Sequence, residues 1–232
     1  MLKNKKVTAY ILYAFGEIFL VMIGILLALQ VNNWNEKRKN KAELNTILTS
    51  IKYDLETDTL IARQVAQLYD TLKMKSDIII NKQLKKENYK DCLQCASLTT
   101  FYSPFHVQTK GYELLKKYSG ETETHQKDSL VTDIIQTYDL YKPLIEKNND
   151  RLENEVMKNL NELRDFPWFV DLSQGKFNEE MISYFTESED YRKRVALHNM
   201  LATNNHLAIV KSYKTKATEI LRRLKIRLEI TE

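Results

Sequence analysis

The stretch AFGEIFLVMIGILLALQVNNWNE, residues 14–36, decides the fold of this chain. Twelve apolar residues, 18–29, follow Glu17 without interruption, and seven more, 9–15, precede it. An α-helix rises about 1.5 Å per residue, so about 20 residues cross the hydrocarbon core of a bilayer. The sequence therefore predicts a transmembrane anchor at residues 9–34, after a basic tail at 1–8 and before a larger domain at 35–232.

Both ends of the predicted span carry residues that are typical of water–lipid interfaces. Tyr10 and Tyr13 lie near one end and Trp34 lies near the other, where amphipathic rings act as interfacial anchors. A cleavable signal peptide is the alternative. However, ALQVNN at 28–33 offers no small-x-small cleavage site, and the apolar stretch is too long for a signal-peptide core. We therefore expect an uncleaved, single-pass anchor.

The orientation of the anchor does not follow from charge, because lysines lie before the span and lysines and an arginine lie after it. The layout resembles a signal anchor that delivers the following domain across the membrane. We therefore expect the bacterial inner membrane as the location, with the N-terminus in the cytoplasm and the domain on the periplasmic side.

A carboxylate inside the apolar stretch costs several kcal/mol if it is ionised in lipid, so it normally protonates, snorkels or finds a partner. Glu17, Gly24 and Val31 are seven residues apart and share one helix face. Gly24 and Ala28 form a small-xxx-small pair, which lets another helix approach closely. We expect Glu17, Gly24 and Ala28 to contact a second transmembrane helix. The alternatives are a protonated Glu17 without a role and a proton or ion path.

The same stretch contains three short motifs: Gly-Glu-Ile at 16–18, Ile-Gly-Ile at 23–25 and Ala-Leu-Gln-x-Asn-Asn-Trp-Asn-Glu at 28–36. Together they resemble the N-terminal signature of an uncharacterised family of small bacterial membrane proteins, a domain of unknown function. The segment FYSPFHVQTKGYELLKKYSGE at 101–121 is similar to a later segment of that family more loosely. The resemblance implies a membrane-anchored helical protein and carries no activity with it.

Five Gly and three Pro are few for 232 residues, and this composition favours long helices over a fold rich in tight turns. Apolar residues recur at helical spacing over residues 44–80, 124–163 and 188–228. These patterns predict an all-α fold, in which an N-terminal transmembrane helix precedes an antiparallel bundle of long helices. The anchor either runs on into the first long helix or breaks at NNWN, residues 32–35.

Several residues predict where helices start, stop or bend. Residues 92–111 lack a clean period and include Pro104, so we expect a connector with short helical pieces. Gly120 is expected to end a short helix, and Pro143 is expected to kink or split the second long helix. Ser188, followed by two acidic residues, is expected to cap the last long helix.

Three aromatic residues, Phe166, Trp168 and Phe169, surround Pro167. They are either an exposed docking patch or a hydrophobic plug that closes one end of the bundle, and the plug is the favoured interpretation.

Cys92 and Cys95 form the motif C-x-x-C, which pairs in an oxidising compartment and can bind metal or do redox work in a reducing one. The motif lacks further ligands at suitable spacing and a βαβ context, so plain packing or a local disulfide is favoured. His198 and His206 are too far apart along a helix to share a metal. We expect no metal site and no cofactor.

The sequence lacks a Gly-rich phosphate loop, a G-x-S-x-G elbow and an H-E-x-x-H motif, so a non-enzyme is expected. Basic and acidic residues are nearly equal in number and the net charge is only +4, which argues against nucleic acid as a partner. The leading interpretation is a membrane-anchored interaction module or accessory subunit. Its expected partners are the lipid bilayer and either a membrane protein or a second copy bound through the transmembrane helix. The alternatives are a single-span sensor or ligand-binding module and an energy-coupling subunit that uses Glu17.

Overall fold

The computed structural model describes residues 3–121 and 128–229, with side chains described at 13–120 and 128–229. The described residues form helices and irregular segments without strands, so the prediction of an all-α fold is confirmed. The elements are α1 (Lys3–Ile80), a 3-10 segment (Lys86–Ser97), α2 (Lys110–Glu121), α3 (Ser129–Arg164), α4 (Phe169–Ser173), α5 (Glu179–Glu187), α6 (Glu189–Asn199), a π segment (Met200–Leu207) and α7 (Ala208–Glu229).

The chain divides into two compact units, Met1–Ile47 and Leu48–Glu232. The described part of the first unit is helical throughout and includes the apolar stretch. Helix α1 continues through NNWN, where two of the asparagine side chains bond to side chains about one turn further along the helix. Asn32 donates to Glu36 at 3.3 Å, and Arg38 donates to Asn35 at 3.3 Å. The expected end of the anchor at residue 34 stays a prediction.

The second unit is a helical bundle in which α7 runs antiparallel to α3 and to the part of α1 that follows Leu48. Side-chain bonds between these helices show the direction, because residue numbers rise on one helix as they fall on the other. The pairs are Asp128 with Arg227 and Tyr141 with Ser212 for α3, and Glu56 with Lys225 and Asp70 with Lys211 for α1.

The core of this unit is built from the apolar stripes that the sequence predicts. Ile51, Leu55, Ile145, Leu152 and Ile220 are buried. A further apolar cluster joins the 3-10 segment, α4 and α5 to the nearby ends of the long helices. Burial of these side chains removes apolar surface from water, which is the main source of stability in such a bundle.

The predicted split of α3 at Pro143 is wrong, a kink there stays a prediction, and α2 includes the glycine that was expected to end it. Helix α3 contains Pro143 without being split, and the buried side chains of Tyr138 and Ile145 hold the helix on both sides of it. Helix α2 passes through Gly120 and extends to Glu121. Gly120 lacks the positive φ of a helix-ending glycine, a conformation that Gly175 adopts after α4.

The predicted start of the last long helix is confirmed, because the Ser188 hydroxyl accepts a hydrogen bond from the Tyr191 backbone N–H. The predicted start of the second long helix at residue 124 lies outside the described residues, and α3 begins at Ser129 with Asp128 as its cap. The π segment between α6 and α7 was not predicted. It is eight residues long, whereas most π-helical stretches in proteins are single-turn bulges.

Candidate functional site

The side chains of the apolar stretch are exposed in the first unit. Phe15, Ile18 and Leu20 are each about two-thirds exposed, and Glu17 is exposed beside them. Among the described residues, α1 is the helix whose length and composition suit a membrane span, with a mean hydropathy of 2.2 and no burial in its apolar window. Signal sequences share these properties, so the membrane anchor stays a prediction.

The predicted contact residues are open to a neighbour. Gly24 and Ala28 are exposed, and a Cβ added to Gly24 meets no described atom within 4 Å. Tyr13 and Trp34, two predicted interfacial anchors, are 67% and 64% exposed. The Arg38 guanidinium lies 5.6 Å from the centre of the Trp34 ring, a cation–π arrangement. The side chain of Tyr10 lies outside the described residues.

The aromatic residues around Pro167 do not form an exposed docking patch. Trp168 is 2% exposed, and its ring lies 4.5 Å from Phe166 and 5.7 Å from Phe185 between ring centres. Phe166 and Phe169 are half-buried against the same apolar cluster. Burying these rings removes apolar surface from water. That they close one end of the bundle stays a prediction.

The sequence predicts a connector at residues 92–111, but it does not predict that side chains hold part of this connector inside the bundle. We call residues 98–109 the clamped connector. Backbone groups in an irregular segment lack helical partners and must be satisfied by other means when they are buried. Side chains from α1, α3 and α6 supply these partners: Asn159 donates to Thr99, the His198 ring bonds to the Phe101 carbonyl, Tyr69 bonds to both backbone groups of Ser103, and Asn149 bonds to both backbone groups of Phe105.

Two carboxylates on α1 hold the end of the clamped connector and the start of α2. Asp58 accepts the Gln108 N–H at 3.0 Å, and Asp54 accepts the Gly111 N–H at 2.6 Å. Acidic groups at a helix start satisfy free N–H groups and complement the helix dipole. A Cβ at Gly111 would lie 2.6 Å from the Ile51 backbone nitrogen, so the position requires glycine for the close approach of α2 to α1.

Asp58, on α1, is the carboxylate whose pKa is most strongly shifted among those that bond to the clamped connector. It is 0% exposed and accepts the Tyr213 hydroxyl at 2.5 Å. Burial raises the pKa of Asp58 to about 6; the bonds from Tyr213 and Gln108 oppose this shift, and the nearby charge of Asp54 adds to it. The carboxylate is enclosed by protein groups, so its arrangement suits holding the connector better than acting on a substrate.

Two buried histidines, His198 on α6 and His206 in the π segment, lie near the clamped connector. Burial lowers the pKa of His206 to about 4, and it also lowers the pKa of His198. The His206 ring packs edge-on against Tyr69, with 5.2 Å between ring centres. Both rings are therefore neutral at physiological pH and serve as packed core groups. In the described residues, no group of three or more His, Cys, Asp or Glu could hold a metal.

The apolar cluster borders a cleft of about 340 Å³ between the 3-10 segment, the end of α3 and α4. Apolar side chains and three hydroxyl groups line it. They are Leu93, Ala96, Leu160, Leu163, Phe169, Leu172 and Phe177 with Ser97, Thr100 and Ser173. Cys92 and Cys95 lie in the same 3-10 segment and are joined by a disulfide. Of the alternatives for this pair, the structure contains the local disulfide.

The sequence contains polar residues whose positions indicate the clamped connector. Asp54 and Asp58 are four residues apart and interrupt an apolar stripe, and Asn149 and Asn159 occupy buried positions of α3. A polar residue at a core position of a helix needs a partner, and here the partner is the connector backbone.

Comparison with known proteins finds a family match for one part of the chain. Residues 17–98 match the model of a family of unknown function (DUF6090). The resemblance to an uncharacterised domain family is therefore confirmed over this segment, which includes the twelve apolar residues 18–29 and ends directly after the 3-10 segment. No curated protein and no solved structure matches the chain.

Proposed function

We propose that this chain is a single-pass membrane protein whose helical bundle serves as an interaction module or accessory subunit of a membrane assembly. The observation that carries the proposal is the apolar stretch of α1, whose most apolar window is unburied. Exposed apolar surface costs roughly 25 cal/mol per Å² in water, and a bilayer removes that cost. A helix satisfies all its backbone groups internally, so it can cross lipid without further partners.

The proposed contact with a partner uses Glu17, Gly24 and Ala28. Small residues allow two helices to approach closely, and a carboxylate that hydrogen-bonds across the interface avoids an unpaired position in lipid. Because the side chains around Gly24 leave its surface open, a helix of a membrane protein or of a second copy has room to pack there.

The disulfide supports a location for the bundle on the periplasmic side of a bacterial inner membrane. Disulfides form and persist in oxidising compartments and are rare in the reducing cytosol. Because Cys92 and Cys95 are bonded, the oxidising side of the membrane is the better environment for the second unit. Alkylation of intact cells with a membrane-impermeant thiol reagent, before and after reduction, tests this orientation.

The central experiment is co-purification of the tagged full chain in a mild non-ionic detergent, followed by mass spectrometry. Glu17→Leu and Gly24→Leu change the proposed contact face. Met22→Phe adds bulk on the opposite side of the same helix, because positions 22 and 24 are about 200° apart around it. We expect a membrane partner or a second copy with the wild type and with Met22→Phe, and its loss from both contact variants. The same partners in all four preparations would contradict the proposal.

A proton-carrying role for Glu17 predicts a different pattern. Glu17→Gln keeps the size and the hydrogen bonds of the side chain but cannot carry a proton. If assembly survives in Glu17→Gln while the activity of the isolated assembly is lost, the energy-coupling alternative is supported. If assembly is lost with Glu17→Leu and both assembly and activity survive in Glu17→Gln, the carboxylate is a structural contact.

The cleft of about 340 Å³ favours a second candidate function, a ligand-binding or sensor module. Its volume lies within the range of small-molecule sites, and its lining is mostly apolar with a few hydroxyl groups. Leu160→Trp would fill the cleft, and Leu114→Trp, at an exposed position outside the cleft, is the matched control. A neutral single-chain amphiphile that raises the melting temperature of the wild type and the control, but not of Leu160→Trp, would support this function.

A further inference from the structure

We propose that the Cys92–Cys95 disulfide is a redox exchange site that accepts electrons from a dithiol protein, with Cys92 as the atom attacked. The proposal goes beyond the membrane assembly proposed above, and it depends on the geometry of the 3-10 segment. It assigns a chemical step to a pair that would otherwise be a local crosslink.

The two sulfurs differ in accessibility. Cys92 is half-buried at the surface of the bundle, whereas Cys95 is 0% exposed within the apolar cluster. The backbone carbonyl of Cys95 accepts the hydroxyl of the buried Tyr191, which holds the residue in place. Thiol–disulfide exchange requires a thiolate to reach one sulfur. An incoming thiolate can therefore reach Cys92, and Cys95 is the leaving group.

The surroundings of Cys95 also accommodate the reduced state. Its Sγ lies 3.8 Å from the carbonyl oxygen of Lys75 on α1, a suitable distance for a thiol S–H to donate to that oxygen. A reduced Cys95 can thus remain in place as a neutral thiol, which is the form that an apolar environment favours.

The disulfide joins residues three apart within one 3-10 segment and links no two distant elements. Loop closure entropy grows with loop length, so a bond across so short a loop constrains the unfolded chain less than a long-range bond would. Other contacts fix the same segment: Tyr191 bonds to Cys95, and Lys85 donates its N–H to the Asn88 side chain at 2.7 Å. Reduction therefore leaves the bundle folded, as reversible exchange requires.

The direction of the exchange follows from the groups around Cys92. Cysteines that act as nucleophiles lie beside cations or helix N-termini, which lower the thiol pKa. The residues that line the small pocket at Cys92 are uncharged in the described part of the chain, and they include Tyr89, Leu93 and Phe177. This chain therefore supplies the disulfide and the partner supplies the thiolate. Leu93, 49% exposed, provides apolar surface for that partner.

The thiol–disulfide exchange takes place in two steps. A partner thiolate attacks Cys92 Sγ, the bond between Cys92 and Cys95 breaks, and Cys95 takes the electron pair and then a proton from water. The second thiol of the partner then attacks the partner's first sulfur, which is bonded to Cys92 in the mixed disulfide, and Cys92 is released as a thiol. The chain gains two electrons and two protons, and the partner dithiol becomes a disulfide.

The test uses the full chain in detergent with reduced dithiothreitol and glutathione as probes. Cys95→Ser leaves Cys92 as the remaining thiol, and Cys92→Ser leaves Cys95. We expect iodoacetamide to label Cys95→Ser about tenfold faster or more than Cys92→Ser, because reaction at Cys95 needs local opening of the bundle. We also expect dithiothreitol to reduce the wild type without loss of its helical circular dichroism.

A second measurement uses the wild type, so its result does not depend on whether the variants fold. The wild type is partly reduced with glutathione, quenched with acid and examined by tandem mass spectrometry of the peptide that holds both cysteines. Glutathione bound to Cys92 supports the proposal. Glutathione found equally on both cysteines, or a disulfide that resists dithiothreitol until denaturant unfolds the bundle, would overturn it.

Discussion

Replacing Asp58 with asparagine tests whether a buried carboxylate sets the pH dependence of the bundle's stability. Asp58 is enclosed, and it accepts hydrogen bonds from Tyr213 and from the Gln108 backbone. Asparagine keeps both bonds, because its carbonyl oxygen accepts from Gln108 and its amide donates to the Tyr213 oxygen. The variant therefore removes the charge and leaves the connection between α1, the clamped connector and α7 intact.

The expected change in unfolding free energy with pH follows from the pKa of Asp58, which burial raises from 3.8 to about 6. The folded state binds this proton more tightly than the unfolded state does, so the stabilisation is fully present below pH 3.8 and is lost as the pH rises through 6. A pKa difference of about 2 corresponds to about 3 kcal/mol. Between about pH 7 and about pH 4, the wild type should therefore gain about 2 kcal/mol of unfolding free energy relative to Asp58→Asn.

The assay is urea unfolding of the full chain in a non-ionic detergent, read from the fluorescence of the buried Trp168. A Trp34→Phe background removes the exposed indole. Both proteins keep their histidines, so the acid titration of those residues cancels in the difference. Asp91→Asn, which removes an exposed carboxylate of the 3-10 segment, is the control. A difference between wild type and Asp58→Asn that stays constant to within about 0.5 kcal/mol over this pH range would refute the reasoning.

Three further predictions concern the same region. Gly111→Ala should lower the unfolding free energy in urea titrations by about 1–3 kcal/mol, because its Cβ would lie 2.6 Å from a backbone nitrogen of α1. Gly120→Ala, in open space, is the control and should be neutral or stabilising. Asn149→Leu should cost about 2–5 kcal/mol by leaving both backbone groups of Phe105 unpaired, and faster amide exchange at Phe105 should accompany the loss. When the pH falls from about 7.5 to about 5, His206→Phe should gain about 2 kcal/mol of unfolding free energy relative to the wild type. The reason is that burial lowers the pKa of His206 from 6.5 to about 4, so the stabilisation by its neutral ring is lost as the pH falls. Equal acid sensitivity of the two proteins in chemical unfolding would argue against a buried neutral ring.

The long-range pairings of the bundle could not be derived from local patterns. The bond between Asp58 and Tyr213 joins residues 155 positions apart, and Asn149 reaches Phe105 across 44 positions. Helical periodicity indicates which face of each helix is buried, but it does not say which residue of another helix will lie opposite. The predicted split of α3 at Pro143 was wrong for a related reason. Local propensity is worth a few kcal/mol at most, and the packing of Tyr138 and Ile145 on either side of Pro143 outweighed it.

The sequence by itself determined the all-α class, the apolar stretch of α1 and the apolar stripes of the long helices, because helix periodicity and hydrophobicity are properties of neighbouring residues along one chain. Residues 17–98 also match the model of a family of unknown function. The tertiary structure alone decided that the clamped connector runs into the bundle and that Asp54, Asp58 and Asn149 hold it. Buried backbone groups without helical partners must be paired, and the partners that satisfy them are brought together only when separate helices pack.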